Sequence, residues 1–219
     1  MTGNPGGGWW RNHADIDTTT SYNSLLADGG EMWFSMLYSR PAGSRFYFAI
    51  TDDKAFNNGN LDNGATGIGF GLESTGELWA SVWDDKNWGG SNLAGPSESS
   101  VDITGDGLVT NADGGSTVAS TTYLIVGQVQ WGATATDNDI VSLYLPATDL
   151  TLGSVVAQAE EVVDQSVFDR IATADGNGAA TEWDEIRVGA TYDDVAPIPE
   201  PSAALLGGLG LLALLRRRR

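Results

Sequence analysis

Hydrophobic and polar residues alternate along this chain with a period of two, in segment after segment. Met32, Phe34, Met36 and Tyr38 fall on one side of a run whose other side carries Trp33, Ser35 and Leu37. Phe46, Phe48 and Ile50 repeat the pattern against Tyr47 and Ala49, and Ile68, Phe70 and Leu72 repeat it against Gly67, Gly69 and Gly71. A strand turns successive side chains to opposite faces, whereas a helix brings a face round only about every 3.6 residues, so these runs predict strands. Leu78–Trp83, Tyr123–Trp131, Ile140–Leu145, Phe168–Thr173 and Trp183–Val188 are further candidates. Between them stand Pro41-Ala42-Gly43, Asn57-Asn58-Gly59-Asn60, Asp62-Asn63-Gly64, Gly89-Gly90 and Asp175-Gly176-Asn177-Gly178, all of turn-forming composition. Val155–Val163 carries two adjacent glutamates and several β-branched residues, and predicts a loop or an irregular strand. Many short strands without intervening helices imply an all-β antiparallel sandwich, and no period of a propeller or solenoid is visible.

Charge narrows what such a domain does. The 219 residues carry 29 acidic side chains against 11 basic, a net charge of −18, and four of the basic ones are the terminal Arg216, Arg217, Arg218 and Arg219. A body this acidic repels phosphate backbones, which excludes nucleic acid as a partner. There is no cysteine, hence no disulfide, no thiolate catalysis and no cysteine zinc site. The single histidine, His13, sits in Arg11-Asn12-His13-Ala14-Asp15, which reads as an exposed loop.

After Val195 the character of the chain changes. Pro197, Pro199 and Pro201 remove backbone donors, so residues 196–202 predict a linker outside any helix or inner strand. Ala203–Leu215 is an uncharged run, and Arg216–Arg219 follows it. Thirteen helical residues span about 20 Å, short of the ~30 Å hydrocarbon core, and the arginines would keep to the cytoplasmic side. Pro199, Glu200, Pro201 and Ser202, then the hydrophobic run, then the arginine cluster, resemble the PEP-CTERM sorting signal of Gram-negative bacteria. That resemblance implies export, an exosortase as processing partner near Pro199-Glu200-Pro201-Ser202, and transient hold on the inner membrane through residues 203–219, with Ala203–Leu215 as a C-terminal hydrophobic helix. It also implies delivery to the cell envelope or extracellular matrix. Such a substrate needs a secretory signal, yet Met1–Gly8 has neither a basic start nor an apolar run. Gly3–Gly30 is polar and glycine-rich and offers no opening strand to pair with the strongly patterned Trp183–Val188. The expectation is that residues 1–8 are interior sequence, that the reading frame extends upstream, and that a sheet edge lacks a neighbour.

Residues 9–195 resemble LamG-like, concanavalin A-like jelly-roll domains. The likeness rests on Glu31-Met32-Trp33-Phe34-Ser35-Met36-Leu37, Thr122-Tyr123-Leu124-Ile125-Val126-Gly127-Gln128-Val129 and Trp183-Asp184-Glu185-Ile186-Arg187-Val188-Gly189. It implies a two-sheet jelly roll and a choice among sugar-binding, adhesive and glycoside-cleaving roles.

Three segments carry candidate chemistry. Glycosidases of this fold place Glu-x-Asp-x-Glu on one strand; here Glu182-Trp183-Asp184-Glu185-Ile186 has isoleucine where the second glutamate should stand. A retaining pair needs carboxyls about 5 to 5.5 Å apart, so no catalytic residue is assigned, the chain is expected not to be an enzyme, and Asp184 and Glu185 are expected to contact Arg187 or Arg170. Asp102, Thr104, Asp106, the Leu108 carbonyl, Thr110 and Asp113 resemble a calcium loop with Gly107 at its bend, the only cofactor suggested. Thr104 and the following Gly114-Gly115 depart from that pattern, and a plain hairpin turning at Gly105-Asp106-Gly107 stays open. Trp79 and Trp83 share one face of their strand, with Trp88 five residues on, either as packing between layers or as a platform on which sugar rings stack. The reading is an exported, sorted jelly roll that binds polysaccharide or adheres without catalysis, with a purely structural matrix component as the second reading and glycoside hydrolysis as the third.

Overall fold

The alternating runs become strands of two sheets that face each other across one hydrophobic layer. The computed structural model describes residues 10–16, 20–39, 45–52, 61–72, 78–88, 122–176 and 182–196. Among these the strands are β1 (Trp10–Asp15), β2 (Glu31–Ser39), β3 (Arg45–Thr51), β4 (Leu61–Leu72) and β5 (Leu78–Trp88). They continue as β6 (Thr122–Gln130), β7 (Asp139–Tyr144), β8 (Val155–Glu161), β9 (Arg170–Gly176) and β10 (Glu182–Gly189). Helix is confined to α1 (Thr20–Leu25), a 3-10 turn at Gln165–Val167 and α2 (Tyr192–Val195). Sheet I runs β1-β9-β3-β4-β5 and sheet II runs β10-β2-β6-β7-β8, and every neighbouring pair is antiparallel. This is the all-β, two-sheet jelly-roll sandwich that the alternation and the resemblance predict.

The core faces are the ones the periodicity names. Met32, Phe34, Met36 and Tyr38 of β2 meet Phe46, Phe48 and Ile50 of β3 and Ile68 and Phe70 of β4, all buried. Phe34 lies 5.2 Å from Phe48, which lies 5.4 Å from Phe70, while Tyr38 stands 4.7 Å from Phe46, ring centroid to ring centroid. Offset and tilted rings at these separations add attraction beyond the area they bury. Phe34 reaches this position by crossing β6 where the partner residue is Gly127. A Cβ at Gly127 would collide with the Phe34 ring, so only glycine admits it.

Several expectations change. The segment that reads as a loop around His13 is β1, whose six residues pair along β9 from Trp10↔Asp175 to Asp15↔Arg170. Its pairing comes from backbone hydrogen bonds at a sheet edge, which polar residues supply as well as apolar ones, so alternation did not reveal it. An opening strand is therefore present within residues 1–30, and it joins sheet I; β10 pairs with β2 alone among the described residues. Of the two readings of Val155–Val163 the irregular strand is the one formed, at Val155–Glu161, with a register shift where Tyr144 pairs with Val155 and Leu143 with Ala157. Its Ala157 and Ala159 enter the core, small residues that weigh little in a hydrophobic pattern. Asp62-Asn63-Gly64 lies within β4 as a register shift between Leu61 and Ala65, a bulge in place of the expected turn.

One buried carboxylate ties the far end of sheet II. Asp139, 3% exposed, accepts hydrogen bonds from the Gly132 and Val163 amides, each at 2.9 Å. Burial pushes its pKa above the ordinary carboxylate range, against the lowering effect of those two amides.

Removal of the central ring tests the layer. Phe34→Ala is expected to cost about 3–5 kcal/mol in urea unfolding; a loss under about 1 kcal/mol would show that the two sheets do not depend on this contact.

Candidate functional site

The outer face of sheet II, away from the core, is built from three parts. In the middle, Trp33, Val126, Tyr144 and Val195 form a buried cluster with Leu152 and Tyr192 packed against it. Trp33 stacks with Tyr144 at 6.0 Å and meets Tyr192 at 5.8 Å. Helix α2 supplies two of these residues. Its first turn is closed by a capping box, in which Thr191 and Asp194 exchange side-chain to backbone hydrogen bonds. The hydrogen bonds from the Thr191 hydroxyl and amide hold the Asp194 carboxyl below its ordinary pKa. The segment is fastened to the sheet as well. Ser35 Oγ donates to the Val195 carbonyl at 2.6 Å, Arg187 Nη1 to the Ala196 carbonyl at 3.1 Å, and Tyr192 OH to the Leu150 carbonyl at 2.5 Å.

Beside this clasp lies a polar strip. The register sets Trp33, Gln128, Ser142 and Gln158 opposite one another across β2, β6, β7 and β8, and Glu31, Gln130, Ile140 and Glu160 in the next row. Alternation puts both rows on the outer face, where Glu31, Gln130 and Glu160 are exposed and Gln128, Ile140 and Gln158 half-buried. Their hydrogen bonds form a chain. Tyr144 OH donates to Gln128 Oε1 at 2.8 Å, Gln128 Nε2 donates to Glu31 Oε1, and Trp33 Nε1 donates to Glu31 Oε2 at 3.3 Å. Gln158 Nε2 donates to Ser142 Oγ at 2.9 Å. Burial, reinforced by the Glu31 carboxylate, keeps the Tyr144 phenol above its ordinary pKa and therefore a donor.

At the opposite end of the same sheet an open cleft of about 290 Å³ lies between β10, β2 and the start of β6. Glu182, Ser39 and Thr122 stand opposite one another in one row, and Asp184 and Leu37 in the next. The two carboxylates that the sequence set aside for want of a third thus border a cavity. The expected contact with Arg187 is made by Glu185, at 2.6 Å, while Arg170 turns to Asp15 at 3.2 Å. Asp184 Oδ1 accepts the Glu185 amide at 2.8 Å, at the bulge where Glu185 takes a positive φ of 53°.

Of the other candidates, only Trp79 has a described side chain. On the outer face of sheet I, Trp79 is half-buried, lies over Gly71 and meets the buried Tyr47 ring at 5.7 Å. Trp83 and Trp88 occupy register positions opposite Gly67 and Leu61, and their side chains lie outside the described residues. The loop of Asp102, Thr104, Asp106, Leu108, Thr110 and Asp113 lies outside them too, as do Pro199, Glu200, Pro201, Ser202 and the tail to Arg219. Among the described residues no three histidine or acidic side chains gather as metal ligands, and no helix is long and apolar enough to cross a membrane. Sequence reasoning missed Glu31, Gln128 and Gln158, whose only signal is a polar residue on the non-core side of successive strands.

No protein-family model and no curated protein matches this chain. Among solved structures it is similar to the endo-β-1,4-glucuronan lyase of the fungus Trichoderma reesei, at 12% identity and TM-score 0.44 over 89% of this chain and 82% of that one. It is similar to a galectin of Caenorhabditis elegans, at 7% identity and TM-score 0.38 over 86% of this chain and 95% of that one. It is likewise similar to scytalido-glutamic peptidase, at 11% identity and TM-score 0.37 over 86% of this chain and 85% of that one. The chain's own two antiparallel sheets fit a concanavalin A-like fold. The expectation that the chain is not an enzyme is corrected here. The solved structures to which it is similar include a lyase and a peptidase beside a galectin.

The clasp is open to direct test. Ser35→Ala leaves the buried Val195 carbonyl without its donor and is expected to cost about 1–3 kcal/mol in urea unfolding. A change of a few tenths would mean that α2 rests on the sheet without being held by it.

Proposed function

We propose that this chain is an exported envelope or matrix protein whose sandwich holds carbohydrate against the outer face of sheet II. The observation that carries the reading is the hydrogen-bonded chain Trp33–Glu31–Gln128–Tyr144 with its neighbour Ser142–Gln158. Side chains already fixed by one another lose little freedom on binding. Each amide keeps donor and acceptor capacity beyond the bonds it makes, since a glutamine offers two N–H groups and two lone pairs. The strip crosses four strands, about 14 Å at three strand spacings, with Ile140 as an apolar spot between polar rows. Hydroxyl-rich ligands suit such a surface because they donate and accept at every position.

Export and sorting belong to the same proposal. Pro199-Glu200-Pro201-Ser202, the apolar run to Leu215 and Arg216–Arg219 support recognition by an exosortase, with inner-membrane hold before processing. The acidic body supports a life outside the cell in contact with solvent and cations.

A glycan-array screen of the chain, run with and without calcium, identifies the ligand class and tests the 102–113 loop together. Gln128→Ala should then weaken the leading glycan about tenfold, or about 1.4 kcal/mol. Absence of any glycan binding, or binding indifferent to Gln128, would overturn the reading. In cells that carry an exosortase, Glu200→Ala should leave an unprocessed precursor on immunoblots; normal maturation would remove the sorting assignment.

A further inference from the structure

The cleft at the other end of sheet II has a different chemistry from the strip, with two carboxylates on its border. Glu182 and Asp184 alternate with Trp183 and share one face of β10, separated by about 7 Å along the strand. Both are exposed, and neither has a cationic partner among the described residues, since Arg187 pairs with Glu185 and Arg170 with Asp15. Across the cleft stand the hydroxyls of Ser39 and Thr122, with half-buried Leu37 beneath. A divalent cation is poorly served here, because calcium takes about six to eight oxygen ligands and, among the described residues, no third acidic side chain joins the pair. A single ammonium group asks for less: it carries three donors, and two carboxylates flanking one position satisfy its charge. The hydroxyls and the apolar floor select what the ammonium is attached to, a ring with hydroxyls on its edge and C–H groups on its face. The volume, about 290 Å³, stands at the lower end of the roughly 300–1,000 Å³ of small-ligand sites, enough for a residue or two of saccharide and little more.

We propose that the cleft bounded by Glu182, Asp184, Ser39 and Thr122 binds a hexosamine unit through its free amino group. The inference rests on the reading of this protein as a carbohydrate binder and assigns a second, charge-selective subsite on the same sheet. The polar strip and the cleft lie at opposite ends of β2, with the α2 clasp between them. The strip, where Glu31 already accepts hydrogen bonds from Gln128 and Trp33, offers amide groups to sugar hydroxyls, and the cleft takes the cationic unit.

Isothermal titration of the whole chain at about pH 6, where a sugar amine is protonated and carboxylates are ionised, decides the matter. A glucosamine tetramer is expected to bind at least tenfold tighter than its N-acetylated counterpart. The double variant Glu182→Gln/Asp184→Asn should abolish that preference, and Asp193→Asn, which removes one negative charge elsewhere on the same face, should leave it intact. Thr122→Val provides a milder probe should the double variant melt early, and is expected to weaken the free-amine tetramer several-fold. Equal affinity for both tetramers overturns the proposal, and so does a preference that survives the double variant, which would mark general attraction to an acidic protein. Tetralysine binding as tightly as the amino sugar would show a site for basic peptide instead. If neutral glycans still bind through Gln128 while the amine gives no advantage, the cleft assignment fails alone. If no glycan of any kind binds, the carbohydrate reading fails with it.

Discussion

Phe34 crosses sheet II over Gly127 and enters the stack of Phe48 and Phe70 from sheet I. This contact joins the sheets at their centres, and much else follows from it. Because the ring occupies the space of a side chain on β6, β2 and β6 must pair with Gly127 opposite Phe34 and in no other register. A shift of one residue would turn Met32, Met36 and Tyr38 to solvent and bring Trp33, Ser35 and Leu37 into the core. The register of β6 then sets that of β7 and β8, since each strand pairs with the one before. The alignment of Gln128 with Ser142 and Gln158 on the outer face is thus a consequence of packing on the inner one.

The outer face divides into a closed part and open parts. Where β2 and β6 carry Trp33 and Val126, α2 covers them and contributes Val195 and Tyr192. Where the same strands carry Glu31, Gln128 and Gln130, the face is open and its polar groups bond to one another. At the other end the rows of Ser39, Thr122 and Glu182 border a cleft, and the bulge after Asp184 re-aims the end of β10. A sandwich can carry such variety because its stability resides in the inner layer, leaving outer residues free to differ without disturbing the fold.

Most of the strands were legible because their core residues are large. Met, Phe, Ile and Tyr at every second position leave little doubt about β2, β3 and the latter half of β4. Legibility failed where burial uses small side chains or none. Ala157 and Ala159 fill the core under β8 with too little apolar bulk to stand out beside Glu160 and Glu161. Strand β1 owes its existence to the backbone groups of β9, and Asp62-Asn63-Gly64 bulges within β4 because pairing with β5 on both sides holds it extended. In each of these cases a tertiary partner overrode a local preference.

The candidate site divides along the same line. From the sequence alone came the all-β sandwich, the inward face of each strong strand, the acidic balance, and the Glu182-Trp183-Asp184 segment as chemically notable. These follow from local pattern and composition, which need no knowledge of what lies across a sheet. Which polar residues meet could be decided only by strand order and register. Glu31 and Gln128 are separated by 97 positions and bond because β2 and β6 are neighbours. Glu182 borders the same cleft as Ser39 and Thr122 because β10 closes the far side of β2. Hydrophobicity is a property each residue carries with it, whereas a binding surface is a property of pairs brought together over long loops, and only the folded chain makes those pairs.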